Sequence, residues 1–199
     1  MNHHTPEATH PQRWTRTAAA LVAAAAVAAL AGCGTSTDPD PSTTPAPAPA
    51  PVCSAGIDQF TRADLCDPEA VMTAALSAMY SYHPATQTQK GVDIDSAAPL
   101  LDPGYLARLG VSYSALAPVT GNTWEQWKTE GDTVTATAVV ASDDHPADTF
   151  ATVARVVAVH QSVVDASGTQ TEQLSPLAIY TTATRTSSGG WAVSGVNVR

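Results

Sequence analysis

Leu30-Ala31-Gly32-Cys33 decides how much of this chain has to fold. These residues close an apolar run, Thr17 to Leu30, that follows Arg13 and Arg16. The run is almost all Ala, Val and Leu, and it is shorter than the ~20 residues a spanning helix needs. A short basic region, an apolar stretch and small residues before a cysteine make an export signal with a lipoprotein cleavage box. Cleavage there removes residues 1–32 and puts a diacylglycerol on Cys33. Two acyl chains anchor stably where one does not, at ~0.8 kcal/mol per buried methylene. The expected location is the extracytoplasmic face of the cell membrane. His3, His4 and His10 fall inside the removed segment and carry no metal reading.

Residues 33–51 form a linker rich in Pro, Ala and Thr. The Ala-Pro alternation from Pro45 to Pro51 cannot hold a helix or pack a core. It favours extended polyproline II, which holds the folded part away from the membrane. Residues 52–199 remain as a single folded domain of ordinary size.

The whole chain has 9 Lys+Arg and 18 Asp+Glu. Without Arg13, Arg16 and Glu7 the counts become 7 and 17, a net charge of −10. That excludes nucleic acid, which needs a basic stripe, and disfavours adhesion to anionic lipid. Attachment therefore rests on the acyl chains. Of the three cysteines, Cys33 is taken by lipid. Cys53 and Cys66, in an exported chain, are expected to form a disulfide across a short loop.

The first half of the domain reads as helices. Asp67 caps, Pro68 suits the first helical position, and Glu69 meets the positive helix end. Val71, Ala75, Met79 and Tyr82 recur at helical spacing until His83-Pro84 stops them. A short helical turn is expected near Ser96 to Leu101. Asp102-Pro103 begins another helix, and Gly110 ends it. The second half reads as strands: Thr123 to Thr129, Thr133 to Ser142, Thr149 to Asp165, Leu174 to Thr186, and Trp191 to Val198. Glu130-Gly131-Asp132, the acidic loop Asp143 to Asp148, Ala166-Ser167-Gly168 and Ser187 to Gly190 connect them. Adjacent runs joined by short turns pair antiparallel. Helices first and a meander after give an α+β fold, with N-terminal helices packed on one face of a curved antiparallel sheet.

Four stretches carry a family resemblance: Ala74 to Tyr82, Ala97 to Leu101, Ala154 to Val159 and Gly190 to Val193. Together with the element order they resemble the cone-shaped fold of nuclear transport factor two, ketosteroid isomerase and scytalone dehydratase. Within that superfamily they are similar to the extracytoplasmic domains of type IV secretion and conjugation assembly factors, and to related actinobacterial envelope proteins. The resemblance implies a bacterial lipoprotein with a cone-like domain. Secretion assembly factors carry an N-terminal transmembrane helix, where this chain has a lipid anchor.

An enzyme on such a fold places an acid, paired with His or Tyr, in the mouth of the cone. Asp143, Asp144, His145 and Asp148 are the nearest thing to a ligand cluster, and His83 and His160 lie elsewhere. Around Pro146 those acids read as a solvated hairpin loop rather than a metal site. His160 shares a strand face with Val156 and Ala158. Arg155 shares the opposite face with Val153 and Val157, where burial demands a carboxylate partner. An exposed arginine on an open sheet face is the commoner case. Trp124 and Trp127, three apart on one strand, point to opposite faces, so one packs in the core and the other is a candidate partner anchor. The candidate binding residues are thus Trp124, Trp127, Arg155 and His160. No catalytic residue, metal or cofactor is assigned, since nucleophile elbow, phosphate loop and zinc signature are all missing. The expectation is a non-catalytic binding or assembly module with an envelope protein partner. The alternatives are a carrier of a small apolar or lipidic ligand in the cone, and an isomerase or dehydratase.

Overall fold

The computed structural model describes residues 53, 57–110 and 112–199. The export signal, Cys33 and the linker lie outside the described residues.

Helix α1, Pro68–Met79, starts where the sequence says it should. Asp67 accepts a hydrogen bond from the Glu69 N–H at 2.9 Å, and Pro68 occupies the first turn. Val71, Met72, Ala75, Leu76 and Met79 form its buried stripe. The helix ends at Tyr80, ahead of the expected stop at His83-Pro84. The reason is tertiary: Tyr82 pairs with Val134 through N–H···O bonds of 2.8 and 2.9 Å, and that pairing needs extended backbone. Two short helices follow, α2, Ile94–Ala97, and α3, Pro103–Leu109. Asp93 and Asp102 cap them by accepting from the N–H groups of Ser96 and Tyr105.

Thr123 to Thr129, expected as a strand, is helical. Helix α4 spans Gly121–Glu130, with Thr120 accepting from the Thr123 N–H. Gly131, at φ 77°, ends it in the left-handed conformation that glycine adopts without strain. Glu125, Gln126 and Lys128 are good helix formers, and an N-cap with a C-terminal glycine outweighs two tryptophans and two threonines. The helix moves the tryptophans. Three apart on it they share one face, and both are core, Trp124 at 3% and Trp127 at 5% exposure.

Five strands follow: β1, Thr133–Val140; β2, Thr152–Val164; β3, Gln170–Gln173; β4, Leu177–Arg185; and β5, Trp191–Val198. They form one open antiparallel sheet in the order β1-β2-β4-β5. The fold is α+β. Strand β3, which the sequence leaves unassigned between the turn at Gly168 and the run beginning at Leu174, pairs with the far end of β2. Helix α1 packs on the inner face, against Val134, Val157, Val159, Ile179 and Val193.

The space between helix and sheet is filled. Tyr80, Tyr82, Met72, Leu76 and Met79 are fully buried, and Tyr82 lies against Trp124 with ring centroids 5.7 Å apart. Gln161 reaches in from β2 and donates to the Tyr80 carbonyl at 2.8 Å, satisfying an acceptor that the helix end leaves open. The Tyr80 hydroxyl donates to the Leu116 carbonyl at 3.1 Å. Burial pushes the Tyr82 phenol up to about 12 and raises Tyr80 as well, so both stay neutral.

Parts of the β1 and β5 edges are occupied, while β3 is exposed along its whole length and pairs only with β2. Along β1, the N–H groups of Ala136 and Ala138 donate to Ser81 Oγ and Ser77 Oγ on α1 and the turn after it, at 3.0 and 3.1 Å. Along β5, the Val193 carbonyl accepts from the Asp102 N–H and the Trp191 N–H donates to the Leu65 carbonyl. Where they are covered, these edges offer no template to another strand. At the domain's start Cys53 and Cys66 are bridged, with Cα atoms 5.4 Å apart.

Candidate functional site

The sheet has a second face that no part of α1 touches. Strand alternation puts Thr135, Thr137 and Val139 of β1 on it. From β2 come Ala154, Val156, Ala158 and His160, and from β4 come Ala178, Tyr180 and Thr182. Register places them as neighbours: Thr137 opposite His160, Val139 opposite Ala158, Ala158 opposite Ala178, and Val156 opposite Tyr180. All are exposed or half-exposed, Val139 at 58% and Tyr180 at 40%. None is Asp, Glu, Lys or Arg, on a chain with 18 acidic residues. The guanidinium of Arg199 lies over the Tyr180 ring at 4.7 Å, at the rim.

One end of this face is walled by the connection between β1 and β2. Strand β1 stops opposite Val157, leaving residues 152–156 of β2 with no strand on that side. The acidic loop fills in, tied by the Ala141 N–H to the Val156 carbonyl and the Thr149 N–H to the Thr152 carbonyl. Asp144, His145 and Pro146 then overhang Ala154, Val156, Tyr180 and Thr182 around a largely apolar cleft of about 200 Å³.

Arg155 holds the loop there. It is not the exposed residue that an open sheet face makes commoner; its side chain is only 10% exposed. Nε donates to Glu69 at the start of α1 at 2.6 Å, and Nη1 and Nη2 make a bidentate pair with Asp148 at 2.7 and 2.8 Å. One cation thus ties helix, strand and loop together, the arrangement that a fork-shaped guanidinium makes best. The Asp148 hydrogen bonds and those to Glu69 hold the guanidinium firmly protonated. In return the Arg155 bonds keep the Asp148 carboxyl below its ordinary range. His145 Nδ1 lies 3.1 Å from Arg155 Nη1 and 2.9 Å from the Pro146 carbonyl. The ring accepts from the first or donates to the second, according to tautomer. The far end of the loop is pinned as well: Arg185 is stacked between Phe150 and Trp191, at 4.9 and 4.6 Å, and donates to the Phe150 carbonyl.

Of the candidate residues, only His160 lies on the exposed face. Arg155, tied to Glu69 and Asp148, lines the cleft at the end of that face, and Trp124 and Trp127 belong to the core. Cys53 and Cys66 pair with each other; Cys33 lies outside the described residues. His83, His145 and His160 fall at three separated places, a turn, a loop and a strand. Asp148 of the acidic loop is committed to Arg155. Among the described residues no group of three or more His, Cys, Asp or Glu is arranged to hold a metal, and no helix is long and apolar enough to cross a membrane. Val139, Ala158 and Tyr180, members of one surface, are not among the residues expected from sequence. Their signal is present there: alternate positions of three neighbouring strands carry only small or uncharged side chains. Comparison with family models, with curated proteins and with solved structures returned no match.

Proposed function

We propose that this protein is a lipid-anchored lipoprotein of the cell envelope, and that its domain is a non-catalytic binding module. The partner is another envelope protein, docked on the outer face of the sheet. Anchoring rests on the sequence alone, on the box at Cys33 and the spacer behind it. Docking rests on one observation: a charge-free, exposed face across three strands of a strongly acidic chain. Loss of charge from the centre of a patch is the compositional mark of an interface core. One further feature supports the reading. The cleft beside His145 has room for one aliphatic or aromatic side chain of a partner, the usual form of a binding hot spot. The filled interior favours binding outside the fold over carriage of a ligand inside it. The finer shape, a cone like that of nuclear transport factor two, is supported by the order of helices before meander.

The test uses the full chain in intact envelope, with a photocrosslinker at Thr137. The expected result is one dominant crosslinked protein, lost in Ala158→Asp and kept in Glu125→Lys on the exposed side of α4. Adducts that ignore Ala158→Asp would overturn docking on the face.

A further inference from the structure

We infer that the protein has a second site, which binds a neutral saccharide in the groove that the segment 87–95 forms with Gly110 and Tyr113. The groove shares no residue with the sheet face, and the inference does not rest on the docking reading. Its volume is about 340 Å³, within the ~300–1,000 Å³ of ordinary small-molecule sites.

The groove is built rather than incidental. The Gln87 carboxamide accepts from the His83 N–H at 3.3 Å and donates to the carbonyls of Gln89 and Gly91 at 3.1 and 2.9 Å. That stitches residues 83–91 into one wall. At Gly91, with φ 127°, an added Cβ would lie 2.8 Å from the Ser114 Cα. The wall is therefore in backbone contact with the turn that carries Tyr113. Lys90 is drawn away, donating from Nζ to the Val119 carbonyl at 2.8 Å. Asp93 is spent on the cap of α2, with both carboxylate oxygens bonded to Ser96.

What remains to meet a ligand is a specific set. Asp95 and Gln89 line the groove and are exposed; Tyr113 is half-buried, and half-buried Ile94 supplies apolar surface. The ionised groups of the lining are both carboxylates, which excludes an anionic ligand. Among the described residues no three-ligand cluster suits a metal. A carboxylate accepts from paired hydroxyls, and a carboxamide both donates and accepts. Beside them a tyrosine ring and aliphatic groups offer a surface for the C–H face of a pyranose. A neutral polyhydroxylated ring satisfies all three at once.

The experiment is calorimetric titration of the full chain, in a detergent without a sugar headgroup, against triacetylchitotriose, maltotriose and spermidine. The expected result is saturable millimolar or tighter binding of at least one trisaccharide. Asp95→Ala and Tyr113→Ala should each weaken it about tenfold, the equivalent of ~1.4 kcal/mol, while Ala158→Asp leaves it unchanged. Circular dichroism checks that each variant is folded. The inference fails if neither trisaccharide saturates at millimolar concentration. It also fails if folded Asp95 and Tyr113 variants bind like the wild type, or if spermidine binds more tightly than both sugars.

Discussion

Replacing Trp124 by alanine should cost the domain several kcal/mol and leave partner binding, per folded molecule, unchanged. The magnitude comes from the packing. Trp124 is 3% exposed and tilted by 53° against Tyr82. A buried tryptophan hides ~150–250 Å², worth about 4–6 kcal/mol at ~25 cal/mol per Å². The compact unfolded chain already hides ~10–40% of that area, and the alanine methyl keeps a little more. The tilted aromatic pair contributes ~0.5–1.5 kcal/mol beyond area. The balance is a loss of about 3–5 kcal/mol, the usual range for such a truncation. Against a total of ~5–15 kcal/mol for a domain, that is a large fraction. Urea unfolding followed by circular dichroism is the assay, because the substitution removes a fluorophore. At ~1–3 kcal/mol per molar the midpoint should fall by roughly 2 M with an unchanged slope. Trp124→Phe keeps a ring against Tyr82 and should lose less than half as much. A Trp124→Ala protein with the wild-type midpoint and no crosslink from Thr137 would refute the packing argument and make Trp124 a binding anchor after all.

Cys33→Ala is expected to release the processed protein from membranes, since lipid alone is held to anchor it; a processed variant still in the membrane pellet sinks that claim. Cys66→Ser should lower stability by about 3 kcal/mol, the chain-entropy value for a loop of this size, without abolishing folding; two alkylatable thiols in envelope-derived wild type would show that the bridge does not form there. Two carboxylates should respond to pH with opposite signs. The Asp148 carboxyl is held below its ordinary value by Arg155, so its contribution is complete above that ordinary value and is lost as pH falls through the lower folded one. Asp148→Asn should therefore flatten the acid limb of a stability profile. Burial, then the neighbouring Glu130 charge, raises Asp132. Its ionisation opposes the fold as pH rises, so Asp132→Asn should raise the urea midpoint at neutral pH and do less in acid; an equal effect at both would count against it.

Which parts of the site were legible depended on how local their causes are. Alternation groups His160 with Val156 and Ala158, because the strand period is the same everywhere. The same alternation groups Arg155 with Val153 and Val157, but an exposed arginine was the commoner expectation. Its burial was not legible, because the partners Glu69 and Asp148 reach it from other elements. The tryptophans went astray at one step. Whether residues 123–129 are helix or strand fixes which faces Trp124 and Trp127 take, and a three-residue spacing means opposite things for the two periods. The outer face was invisible as a surface, since Val139, Ala158 and Ala178 become neighbours only through the pairing of three strands.

By itself the sequence determined the α+β class, the capped starts of α1 and α3, and the pairing of Cys53 with Cys66. Each rests on neighbours along the chain or on elimination among very few residues. Tertiary structure alone decided the end of α1, where Tyr82 leaves the helix to pair with Val134. It alone covered parts of the β1 and β5 edges through Ser77, Ser81, Asp102 and Leu65, and bound the loop to the helix through Arg155. These are contacts between segments distant in sequence, and their energies exist only once the core has brought the segments together. The same holds for the charge-free face and for the groove beside Tyr113, whose chemistry belongs to no single segment of the chain.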